Sequence, residues 1–93
     1  MRSFRPQDRL ARAHDLPSTE LDQETVLMSI DAGAYYGLEG PARSIWEKLE
    51  NPLTFSQLVH SLVAEYRVSP ETCASDLQKF LADMEREGLL RVE

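Results

Sequence analysis

Two periods divide the chain. From about Leu10 to Leu38 apolar and polar positions alternate in steps of two; from about Pro41 to Glu87 they recur in steps of three and four. The clearest alternation, Glu24-Thr25-Val26-Leu27-Met28-Ser29-Ile30-Asp31, predicts a strand with Val26, Met28 and Ile30 held in the core. Asp31-Ala32-Gly33-Ala34 reads as a short turn in which Gly33 takes a positive φ. Ala34-Tyr35-Tyr36-Gly37-Leu38 returns as the second arm of a hairpin. Leu10 to His14 is the candidate for a third strand, because Pro17 and the polar Ser18-Thr19-Glu20 interrupt the chain between it and the hairpin.

The second half predicts three helices. Gly40-Pro41 opens the first, and Ala42, Ile45, Trp46 and Leu49 fall on one face before Asn51-Pro52 ends it. Thr54 with Gln57 three residues on is a capping-box pattern for the second, whose stripe is Phe55, Leu58, Val59, Leu62, Val63 and Tyr66. Ser69-Pro70-Glu71 opens the third, with Cys73, Leu77, Phe80, Leu81 and Met84 as its stripe and Gly88 as its stop. Leu89-Leu90-Arg91-Val92 is a short apolar tail expected to extend and pack back on the rest. The fold class is therefore α+β, a three-stranded antiparallel sheet followed by three helices. A meander alone is barely stable, so the helices must cover one of its faces. Two helices, a short turn and a strand-like tail also have the outline of a winged helix.

Composition narrows the function. The chain has 93 residues, room for one small domain over 1–93. One cysteine excludes a disulfide scaffold and fits a reducing, cytoplasmic setting. No apolar run is long enough to span a membrane, and no secretory signal is legible. The net charge of −6 argues against binding driven by phosphate neutralisation. The third helix sets Lys79 and Arg86 among Glu71, Asp76, Asp83, Glu85 and Glu87, which would repel DNA, so neither nucleic acid nor membrane is an expected partner. Arg2, Arg5, Arg9 and Arg12 face only Asp8 in the first fourteen residues, and residues 1–9 read as a loose basic arm.

No convergent set of titratable groups points to catalysis. His14 and His60 have no Cys or carboxylate at metal-ligand spacing, so neither a metal nor another cofactor is expected. Cys73, on the inner stripe, reads as a small hydrophobe. The charged stripe Asp76, Lys79, Asp83, Arg86 reads as a solvated face. What remains is the sheet edge. In a meander ordered by sequence the last strand has an open side. Backbone groups of Ala34, Tyr35, Tyr36, Gly37 and Leu38 are placed to accept an extended peptide, and the third helix supplies a pocket wall from Cys73, Leu77, Phe80, Leu81 and Met84.

The Tyr-Tyr-Gly-Leu strand after Asp-Ala-Gly, the block Gly40-Pro41-Ala42-Arg43-Ser44-Ile45-Trp46-Glu47, and Tyr66-Arg67-Val68-Ser69-Pro70-Glu71 with a helix ending Gly88-Leu89-Leu90 resemble the PqqD family over roughly residues 20–92. One departure is Leu38-Glu39-Gly40, where the family often has Leu-Asn and where Glu39 would be a weaker helix cap. The resemblance implies a non-enzymatic, peptide-binding winged-helix domain that holds the leader segment of a ribosomally made precursor between the third strand and the third helix. It is most similar to the stand-alone proteins of lasso-peptide pathways. There the implied partner is a cysteine-protease-like leader peptidase, with the macrocycle-forming enzyme as a further one. The alternative it implies is a peptide chaperone for a radical SAM enzyme in pyrroloquinoline quinone biosynthesis. A winged-helix DNA-binding regulator is the distant third.

Overall fold

The three helices form where spacing and capping place them. In the computed structural model, which describes residues 3–14, 16–29 and 33–93, they are α1 (Pro41–Lys48), α2 (Phe55–Tyr66) and α3 (Pro70–Arg86). The N-terminus of α2 carries a reciprocal capping box. The Gln57 N–H donates to Thr54 Oγ1 at 3.1 Å and the Thr54 N–H donates to Gln57 Oε1 at 2.8 Å. Ser69 caps α3 by accepting from the Thr72 N–H at 3.1 Å. α1 opens at Gly40-Pro41 as expected, but without Glu39 as its cap. Its N-cap is Gly40, at φ 58°, with no side-chain cap, so Glu39 is not asked to cap anything. Pro41 follows at a position whose N–H has no helical acceptor in any case.

The strands make two sheets. β2 (Ser18–Leu21), β3 (Glu24–Ser29) and β4 (Ala34–Glu39) form an antiparallel meander in the order β2-β3-β4. β1 (Arg9–Arg12), β5 (Leu53–Thr54) and β6 (Leu90–Val92) form a second, smaller sheet in the order β5-β1-β6. The class, α+β with a three-stranded antiparallel sheet and three helices, is the expected one, but the first strand of the meander is not Leu10–His14. Leu10 is fully buried and pairs with the C-terminal tail, at Val92. The polar segment Ser18-Thr19-Glu20 is the edge strand instead. All four residues of β2 are exposed, and polar side chains keep such an edge from recruiting other chains. Pro17 interrupts nothing, because at its position the meander asks only for a carbonyl, which accepts from the Met28 N–H at 2.9 Å.

The faces of β3 are also reversed. Thr25 and Leu27 are buried, whereas Val26 is half-buried and Met28 is exposed. Ile30, expected in the core, lies outside the described residues, as do Asp31 and Ala32 of the turn. The register pairs Leu27 with Tyr36 and Thr25 with Leu38, so these four side chains face the helices together. Ile45, Trp46, Leu58 and Leu62 are buried as expected and join Leu49, Leu77 and Leu81 beneath them.

Residues 4–9 are not a loose arm. Phe4 is buried and stacks on Phe55 with ring centroids 6.2 Å apart. Its backbone is clamped by one side chain: the Phe4 N–H donates to Gln78 Oε1 and Gln78 Nε2 donates to the Phe4 carbonyl, both at 2.7 Å. The Ser56 and Phe55 N–H groups donate to the Pro6 and Asp8 carbonyls. The arginines there serve the fold. Arg5 pairs with Asp8 and Arg9 with Glu93, and Arg12 lies 4.3 Å over the Trp46 ring while donating to the Trp46 carbonyl.

Candidate functional site: the free edge of β4

The hydrogen-bond parity of the meander fixes what β4 offers. In an antiparallel ladder the N–H and C=O of one residue point the same way, and those of its neighbours point the other way. The Met28 N–H donates towards β2, to Pro17. Residues 25, 27 and 29 therefore point towards β4, where their partners are Leu38, Tyr36 and Ala34. Tyr35, Gly37 and Glu39 are left with N–H and C=O groups directed at the open edge. Of the five residues expected to pair with a peptide, Tyr35 and Gly37 are free to do so. Ala34, Tyr36 and Leu38 are committed to β3. Glu39 was missed, because nothing in the alternation says which strand lies on which side.

β4 touches α3 at one point and leads at its C-terminal end into a cavity walled by α3. The Tyr36 hydroxyl donates to Glu87 Oε2 at 3.2 Å, which joins β4 to the C-terminal cap of α3. Burial, and then the Glu87 carboxylate, push the Tyr36 phenol above its usual range. At the other end Pro41 and Ala42 share a cavity with Cys73, Leu77 and Phe80. Between these two points β4 and α3 run in opposite directions. The cavity is about 380 Å³ and is completed by Ile45, Leu62, Tyr66, Val68 and Asp76. That is within the size range of a seat for one or two side chains or a small ligand.

The structure divides the expected pocket wall. Cys73, Leu77 and Phe80 line the cavity; Phe80, the half-exposed one, has the most surface to offer. Leu81 and Met84 do not line it: they are 0% and 4% exposed and belong to the core. Replacing Met84 with a carboxylate would therefore damage the fold before it reported on a ligand. Burial, and then the charge of Asp76, push the Cys73 thiol up, which keeps it neutral. The lining residues of α1 and the α2–α3 turn were not expected. Ile45 and Leu62 look like plain core in a helical stripe, and Val68 sits in a turn.

Around the groove, polar contacts hold α1 to α2. Ser44 Oγ lies 2.6 Å from the Tyr66 hydroxyl and donates to Glu65, and Lys48 Nζ is 2.9 Å from Glu65. Lys48 chiefly, with help from Ser44 and Tyr66, holds the Glu65 carboxyl below the usual glutamate range. A second groove of about 510 Å³ lies between α2 and α3, with Pro6 and His60 on its rim; no strand of the meander lines either groove, but the first includes Pro41 and Ala42, which directly follow the end of β4. Among the described residues no cluster of His, Cys, Asp and Glu is arranged to hold a metal, and no helix is long and apolar enough to cross a membrane.

Comparison with known proteins meets this geometry. Residues 24–90 match the family model described as Coenzyme PQQ synthesis protein D (PqqD). A solved structure described as TbiB1 in complex with the TbiA(beta) leader peptide is similar, with a TM-score of 0.75 and 33% sequence identity over 82% of this chain and 88% of that one. No curated protein matches.

Proposed function

From the premise that this chain belongs to the PqqD family, we propose that it binds the leader segment of a ribosomally synthesised precursor peptide as an added strand on β4. The observation that carries this reading is an unpartnered strand edge whose chain leads, through Pro41 and Ala42, into an apolar groove walled by α3. The leader's backbone exchanges hydrogen bonds with Tyr35, Gly37 and Glu39, and its alternate side chains drop between β4 and α3. Phe80, Leu77 and Cys73 with Ile45 form the seat for an apolar anchor. Three outward residues make a short ladder, so most of the affinity comes from the seated side chains. The similarity to a structure containing a leader peptide supports the same reading.

The protein's part is recognition rather than catalysis. It holds the leader extended and presents the precursor to a separate cysteine-protease-like leader peptidase in lasso-peptide maturation, with the macrocycle-forming enzyme as a further partner. A second reading comes from the family description: a peptide chaperone in the synthesis of the PQQ coenzyme, handing its peptide to a radical SAM enzyme. Fluorescence anisotropy separates the two. The probe is a labelled leader from a small open reading frame beside the gene, with a PQQ-precursor peptide and duplex DNA as competitors. Saturable binding to the neighbouring leader supports the first reading, preference for the PQQ precursor supports the second, and salt-steep binding to DNA alone overturns both.

A further inference from the structure

The groove between α1, α2 and α3, which opens just past the end of β4, is apolar except for one charge. Asp76 lines it among Cys73, Leu77, Phe80, Ile45 and Val68. Among the described residues its carboxylate makes no hydrogen bond or ion pair. Lys79, one turn further along α3, does not reach it, and Asp83 on the same stripe is already paired with Arg86. Asp76 is itself exposed, so its charge stands at the mouth of the groove, three residues along α3 from the buried Cys73. A carboxylate that has no cation of its own, in a wall that a ligand covers, is a cost on binding unless the ligand brings the cation.

We propose that Asp76 is a specificity-determining residue which selects peptides carrying lysine or arginine next to the apolar side chain seated against Phe80. The inference rests on the peptide-binding reading above and deepens it, since it names the chemistry of the preferred peptide. A cation there gains a partner, whereas an acidic residue meets a like charge as water leaves the groove. The negative charge of the whole protein would favour basic peptides everywhere, so the test must separate the local carboxylate from the global field.

The test is selection from a pool of short random peptides on the immobilised full chain, with bound peptides sequenced. Asp76→Lys is compared with Glu50→Lys, which makes the same change in net charge at an exposed turn beyond the end of α1. The wild type is expected to enrich peptides with Lys or Arg adjacent to an apolar residue. Asp76→Lys should lower that enrichment by about fivefold, the upper end for a partly exposed pair, and turn the preference towards Asp and Glu. Glu50→Lys should select as the wild type does. Enrichment of apolar peptides without a basic preference, or an equal shift in both variants, overturns the role of Asp76 and leaves peptide binding standing. No enrichment over a Tyr35→Pro control overturns peptide binding and the role of Asp76 with it.

Discussion

The two sheets of this protein are built from strands of one chain and put to opposite uses. In the β5-β1-β6 sheet Leu10, Ala11 and Leu90 are buried, and the outer strands are two and three residues long. Such short edges give a second chain little to pair with. In the β2-β3-β4 sheet β4 is a six-residue edge, and Leu21, Met28 and Tyr35 expose large apolar surface, Tyr35 at 71%. The first sheet ties both ends of the chain to the helices. The second hangs on the core by one face and leaves an edge for a partner. The difference teaches that burial and availability have been divided between sheets rather than compromised within one.

Five substitutions sharpen that division. Leu10→Ala, in the buried sheet, should cost about 2–5 kcal/mol by urea unfolding, the range for a leucine truncated where the core cannot collapse around it. Peptide affinity at temperatures where the variant stays folded should not move. Phe80→Ala should do the reverse: titration should show peptide binding weakened by about 2 kcal/mol, roughly thirtyfold, as for a central interface anchor, with a smaller loss of stability. Tyr35→Pro removes one outward N–H and no ladder bond to β3. It should weaken the peptide about tenfold, while Tyr36→Pro, which breaks the ladder, should unfold the edge. The smallest effect is a gain. Thr25 is buried and its Oγ1 has no hydrogen-bond partner among the described residues. Thr25→Val should raise stability by about 1 kcal/mol and leave binding alone.

The helices were legible because the spacing of apolar positions agrees with a start signal at each of them: Pro41 after Gly40, the Thr54 capping box and the Ser69 cap. The faces of β3 were not. Val26, Met28 and Ile30 outvote Leu27 in any count of apolar residues, yet Leu27 is the one fully buried in the core. A strand with apolar residues at both parities is placed by what packs against it, not by its own alternation. Phe4 was hidden by its arginine neighbours, and only the clamp from Gln78, 74 residues away, reveals it. The site was half legible. An edge strand, two tyrosines and an apolar helix pointed to the cleft. Which of Tyr35 and Tyr36 faces outward depended on the pairing of Met28 with Pro17, a contact with no sequence signal. Leu81 and Phe80 are neighbours on one stripe, yet one is sealed and the other lines the groove, because the stripe is wider than the core beneath it.

Amide hydrogen exchange along β4, followed residue by residue with and without the neighbouring leader peptide, tests the strand-addition account most directly. The Tyr36 and Leu38 amides, bonded to β3, should be protected in both states. The Tyr35, Gly37 and Glu39 amides should exchange freely in the unbound protein and slow when the peptide binds. A peptide that binds saturably while those three amides continue to exchange at their free rate would contradict strand addition at this edge.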